Sequence, residues 1–62
     1  MDTPYYFHVF KGTDGQWYWR FMAPNEQVVA EGGEGYTTHA KCIAALNLIA
    51  VNASGATIKS DS

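Results

Sequence analysis

His8, Arg20 and Glu31 are the residues whose types come nearest to a chemical site. Side by side on one sheet face they would form an anion or carboxylate pocket, walled by the rings of Tyr6, Phe10 and Tyr18. The plainer alternative is a solvated sheet face with a cross-strand ion pair worth less than ~1 kcal/mol. As acid–base chemistry the set offers only His8 and Glu31. His39 and Cys42 stand three apart on a helical stretch and, with His8, are the residues of metal-ligating type, but no fourth ligand has fitting spacing, so no metal or cofactor is expected. Cys42 has no base or orienting residue near it in sequence and reads as a buried structural cysteine. The Gly32-Gly33-Glu34-Gly35 run ahead of a helix has backbone N–H groups to offer an anion. It lacks the lysine of a phosphate loop, Glu34 repels anions, and a flexible connection is the expectation. Trp17 and Trp19 are suited to stacking on bases or sugars, yet the basic rim of an RNA-binding sheet is missing.

These side chains need elements to hold them. Tyr5 to Lys11 and Trp17 to Ala23 are dense in aromatic and β-branched residues and predict two strands. Gly12-Thr13-Asp14-Gly15 is a turn between them. Pro24-Asn25-Glu26 breaks the second strand, and Val28 to Glu31 predicts a short third one. A helix follows, capped by Thr37 or Thr38 and stopped by Asn52 to Gly55. Its core stripe is read as Ala40, Ile43, Leu46, Ala50 and Ala53, with Cys42 and Ile49 beside it. Ala56 to Lys59 predicts one more short strand anchored by Ile58.

The first hairpin loop decides which residues share a face. With Thr13-Asp14-Gly15 as the loop and Gly15 left-handed, Phe7 pairs with Phe21 and Val9 with Trp19. That face, with Trp17, Val28 and Ala30, is the one the helix must cover. His8 then pairs with Arg20 and Phe10 with Tyr18 on the other face. A turn at Asn25-Glu26 brings Phe21 to Ala30 and Arg20 to Glu31. One helix covers one side of a sheet, so Tyr6, His8, Phe10, Tyr18, Arg20, Met22 and Glu31 form an open candidate binding face. Its rings and methionine leave apolar surface in water, which calls for a protein, small-molecule or subunit partner.

With 62 residues the chain makes one domain, residues 1–62, whose stability at typical per-residue values is about 3–9 kcal/mol. Small folds usually add disulfides, a metal or a second subunit. A single cysteine excludes an internal disulfide, and oligomerisation remains. Ala44, Leu48 and Val51 make a second apolar helix stripe, which with Ile58 supplies candidate dimer contacts. A net charge of −2 argues against nucleic acid and anionic membrane as partners. Met1-Asp2-Thr3-Pro4 has neither the basic nor the apolar region of a signal peptide, and with a free thiol the expected location is the cytoplasm. Cys42 to Val51 is too short and too interrupted to span a bilayer.

The ordered set Trp17-Tyr18-Trp19-Arg20-Phe21, Ala23, Asn25, Val28-Val29-Ala30 and Glu34-Gly35-Tyr36-Thr37-Thr38 resembles the YegP-like family of small proteins without known function. The pattern continues through Ala40, Ile43, Leu46, Ile49, Asn52 and Ala53. The resemblance implies an α+β fold, a β-β-β-α-β unit with a three-stranded antiparallel sheet and one helix on one face. It also implies a homodimer with one continuous sheet and exchanged C-terminal strands. Glu26 departs from the family, which often has Gly there, and the Ala56–Lys59 strand is short. No activity, cofactor or catalytic residue comes with the resemblance. The reading is a homodimeric binding or interaction module and not an enzyme. Its alternatives are an enzyme with a shared site at the dimer interface and a nucleic-acid-binding domain using the open sheet.

Overall fold

The computed structural model describes residues 4–61. Three strands, β1 (Tyr6–Lys11), β2 (Trp17–Met22) and β3 (Val28–Glu31), form an antiparallel sheet in the order β1-β2-β3. Helix α1 (His39–Asn52) follows and ends in a 3-10 turn at Ala53–Gly55. The β1–β2 register is the expected one, with Phe7 opposite Phe21, His8 opposite Arg20, Val9 opposite Trp19 and Phe10 opposite Tyr18. The loop that sets it closes with Gly15 N–H on Gly12 O, and Gly15 has φ 83°. Adding a residue to this loop would have turned every β1 side chain to the opposite face.

The second hairpin repeats this device. Glu26 N–H donates to Ala23 O, Ala23 N–H to Gln27 O, and Glu26 has φ 69°. In both loops the middle residue accepts the N–H two positions on, Gln16 N–H to Asp14 Oδ1 at 2.9 Å and Gln27 N–H to Asn25 Oδ1 at 3.2 Å. The turn is therefore Pro24-Asn25-Glu26 rather than Asn25-Glu26. The pairs Phe21–Ala30 and Arg20–Glu31 still form, because a register irregularity at Phe21/Met22 brings Met22 opposite Val28. Val29 is the extra residue of that bulge. Paired residues share a face, so Val28 lies with Met22 and not, as the sequence reading has it, with Ala30 under the helix.

A left-handed φ costs a non-glycine residue roughly 1–2 kcal/mol. At Glu26 a compensating contact is present: Tyr6 OH donates to Glu26 Oε2 at 2.6 Å, which also holds the tyrosine pKa up. The two effects separate in a double substitution. In a Tyr6→Phe background, Glu26→Gly should raise stability by about 1 kcal/mol in urea unfolding. An unchanged or lowered midpoint in that background would show that the turn carries no strain.

Thr38 caps α1, its Oγ1 accepting Lys41 N–H at 3.2 Å, and Thr37 Oγ1 takes Lys41 Nζ at 3.3 Å. At the other end Asn52 Nδ2 donates to Leu48 O, four residues back, at 2.8 Å. The helix lies against β2, and His39 meets Trp17 edge-on with ring centroids 4.9 Å apart. On the same side Phe7 touches Trp19 and Phe21, with centroids 5.8 and 5.0 Å apart, and Tyr5 stacks on Phe21. The buried helix positions are Cys42 and Leu46, with Ile43, Ala45 and Ile49 half-buried. Ala40, Ala50 and Ala53, expected in the core stripe, are exposed. The stripe is rotated because the larger side chains at 42, 46 and 49 meet the aromatic sheet, whereas alanines have little surface with which to direct a helix.

Two further expectations change. Gly32–Gly35 is more than a connection: Gly32 N–H donates to Trp19 O, and Tyr36 and Trp17 exchange both backbone bonds at 2.8 and 2.7 Å. The glycine run is a loop thrown out of an edge strand that resumes pairing at Tyr36. Gly32 passes so close to the Trp19 indole that an added Cβ would lie 2.6 Å from Nε1. At the C-terminal end, Ala56 to Lys59 forms no strand within this chain, although Ala56 is extended (φ −78°, ψ 138°) and Ile58 is 97% exposed.

Candidate functional site

The sheet face away from the helix carries a cavity of about 360 Å³, lined chiefly by Phe10, Gly12, Asp14, Tyr18, Arg20 and Glu31. Strand alternation places Phe10, Tyr18 and Arg20 side by side, and the two hairpin registers bring Asp14 and Glu31 to the flanks. Phe10 and Tyr18 stack at 5.9 Å and 25°, and the Arg20 guanidinium carbon sits 4.4 Å above the Phe10 centroid. Arg20 Nε lies 3.4 Å from Glu31 Oε2. That nitrogen is buried and makes no hydrogen bond, so the contact is an ion pair without hydrogen-bond alignment. Both side chains are substantially exposed, 42% and 60%, which keeps the pair below ~1 kcal/mol.

Tyr18 is held more firmly. Its hydroxyl donates to Asp14, whose other carboxylate oxygen accepts Gln16 N–H. The tyrosine bond, then the backbone N–H, hold the Asp14 carboxyl below its usual pKa, and the same tyrosine bond raises the phenol. The backbone closes in from two sides. A Cβ added at Gly12 would lie 2.7 Å from the Tyr18 ring, and one at Gly35 would lie 2.9 Å from its hydroxyl. The ring is thus wedged between the hairpin turn and the glycine loop.

Five of the seven expected face residues are where the sequence places them around Arg20: His8, Phe10, Tyr18, Arg20 and Glu31, with the His8 ring 5.4 Å from Phe10. Tyr6 is half-buried and turned toward Glu26. Met22 is a correction: it is only 8% exposed. Tyr6 and Val28 flank it across the strands, and the Tyr6–Glu26 bond reaches past it to the second turn. His8 and Glu31 are not brought together as an acid–base pair. They stand on the outer strands with Arg20 between them, two strand spacings or roughly 9–10 Å apart. Among the described residues no three His, Cys, Asp or Glu side chains converge to hold a metal. Cys42 is fully buried, and burial pushes its thiol pKa up.

Asp14, Gly12 and Gly35 are the site residues the sequence reading missed. Asp14 had a signal: in a three-residue loop the middle residue folds back over the end of its own hairpin, toward Tyr18. Gly35 had none, because its approach to Tyr18 depends on pairing resuming at Tyr36.

Fold and face together define a small α+β unit, a three-stranded meander backed by one helix, with an aromatic and charged pocket on the uncovered side. Residues 13–60 match the family described as "Domain of unknown function (DUF1508)", and the chain belongs to that family. This bears out the resemblance to YegP-like proteins. It is similar to UPF0339 protein NMB1088 of Neisseria meningitidis serogroup B (strain ATCC BAA-335 / MC58), with 39% identity over 44 residues, 71% of this chain and 77% of that protein. UPF0339 protein NMA1193/NMA1859 of N. meningitidis serogroup A shows the same identity and coverage. A solution structure of a protein from Haloferax volcanii superposes with a TM-score of 0.83 at 27% identity, covering 97% of this chain and 98% of that one. These relatives carry no assigned activity in their names. No described helix is long and apolar enough to cross a membrane.

Proposed function

We propose that the chain is half of a homodimeric binding module, with no catalytic role, and that its open sheet face is the binding surface. The observation that carries the dimer is surplus surface. The chain exposes 5000 Å², whereas a compact monomer of this length exposes about 4,000 Å². Its radius of gyration is 13.2 Å against about 11 Å for a compact chain. The difference of roughly 1,000 Å² is close to the ~800 Å² per partner of a standard stable interface. The surplus is apolar where it matters: Leu48 is 67%, Val51 77% and Ile58 97% exposed. An apolar cavity of about 320 Å³ opens between Leu48, Ile49, Asn52, Ala53 and Ala56. Ala56 to Lys59 forms no strand within this chain, and the sheet has two open edges, which suits strand addition to a second copy.

Ile58→Asp tests this reading. In a dimer that buries Ile58, sedimentation equilibrium should show the mass falling from two chains to one, because a buried unpaired charge is not tolerated. A variant with the same mass as the parent would rule out Ile58 as an interface residue.

A further inference from the structure

The pocket on the open face says more about its occupant than the residue types alone. Resting on the reading of that face as the binding surface, we propose that the cavity binds a small zwitterion of the amino-acid class with an apolar or aromatic side chain. Its carboxylate meets the Arg20 guanidinium, its ammonium group the Asp14 carboxylate, and its side chain the Phe10 and Tyr18 rings.

Arg20 already has neighbours on two sides. Phe10 supports one face of the guanidinium at 4.4 Å, and Glu31 holds the Nε side at 3.4 Å. Among the described residues no hydrogen bond reaches the guanidinium, which leaves its planar fork to a planar oxyanion. A bare anion site would nevertheless be poorly made here. The ionised groups lining the cavity are one cation, Arg20, and two carboxylates, Asp14 and Glu31. A multiply charged anion such as phosphate meets net repulsion. A ligand bearing one carboxylate and one ammonium group satisfies the arginine and uses the spare negative charge.

Asp14 is suited to the second role. Each of its oxygens takes one hydrogen bond, from Gln16 N–H and Tyr18 OH, and a carboxylate oxygen can accept a second. Those bonds keep it ionised and aimed. Arg20 lies over Phe10, Asp14 is bonded to the Tyr18 hydroxyl, and the two rings stack at 5.9 Å, so the arginine and the carboxylate line one cavity. The wedging of Tyr18 by Gly12 and Gly35 gives the ligand's apolar part a surface that is already ordered.

The test is a titration of the isotopically labelled full chain by two-dimensional NMR. The probes are L-phenylalanine, 3-phenylpropionate (no ammonium), 2-phenylethylamine (no carboxylate) and inorganic phosphate. L-Phenylalanine should give saturable shifts at the amides of Phe10, Tyr18, Arg20, Glu31 and Gly32. Each analogue lacking one charge should bind at least ~10-fold more weakly, the usual penalty for one lost charged partner. Arg20→Gln should weaken L-phenylalanine by a similar factor while leaving amide dispersion and mass unchanged. Phosphate or 3-phenylpropionate binding as tightly as the amino acid would overturn the proposal in favour of an anion site, and 2-phenylethylamine doing so would make it a cation site. No saturable shift, or shifts confined to Leu48, Ile49 and Asn52, would also overturn it. These ligand comparisons use the parent protein and stand even if the variant fails to fold. Sedimentation of the same samples separates the two readings: a dimer that ignores L-phenylalanine loses this pocket only, and a monomer that binds it loses the dimer only.

Discussion

Replacing Leu46 by alanine should leave most of the chain unfolded at room temperature. Leu46 is 7% exposed, and with Met22 and the fully buried Cys42 it is one of three buried hydrophobic residues among those described. Truncating a buried leucine costs about 2–5 kcal/mol, from lost transfer energy and the cavity left behind. A 62-residue chain has about 3–9 kcal/mol in all. So small a core offers few neighbours able to relax into the gap. Circular dichroism at increasing urea is the direct measurement, and the folded baseline should be shortened or lost. Ala40→Gln, at an exposed helix position, is the control and should shift stability by no more than about 0.5 kcal/mol. A Leu46→Ala protein with an unchanged unfolding curve would mean that α1 does not pack on β2 through this residue.

That contrast also shows what the sequence could and could not reveal. The strands were legible because aromatic and β-branched residues cluster there and turn residues separate them. The β1–β2 register followed from one glycine: Gly15 tolerates φ 83°, which fixed a three-residue loop and with it both faces. The second hairpin was legible only in part. Nothing about Glu26 advertises a left-handed conformation, so the sequence points to a turn one residue short, and the bulge beside Met22 restores the pairing of Arg20 with Glu31. The helix was plain in extent and cap but not in rotation, since alanine on both faces of α1 blurs its apolar stripe. Alternation alone puts Met22 on an open face and does not show that the residue, with Tyr6 and Val28 across the strands from it, is only 8% exposed. Of the pocket, Phe10, Tyr18, Arg20 and Glu31 were readable from register, while Asp14 and Gly35 depended on the loops.

The double substitution Leu48→Asp, Val51→Asp should have an effect nearly as large as Leu46→Ala, for a different reason. In the single chain both side chains are well exposed, 67% and 77%. Exposed helix substitutions of this kind normally change stability by less than ~0.5 kcal/mol per site. If this stripe is buried against a second copy, two carboxylates at the contact face desolvation and mutual repulsion, and the assembly should fail. Since folding of a small obligate dimer is linked to association, the variant should melt many degrees lower and sediment as one chain. Retention of the parent's melting temperature and mass would assign these residues to ordinary solvent-facing surface.

Concentration dependence tests the dimer most directly. Thermal unfolding of the unmodified chain, followed by tryptophan fluorescence across a hundredfold range of protein concentration, reports whether folding and assembly are one equilibrium. For a dimer that completes its core by association, the unfolding midpoint rises steadily with concentration, and sedimentation gives twice the chain mass at the upper end. A midpoint independent of concentration, with the mass of one chain throughout, would contradict the account.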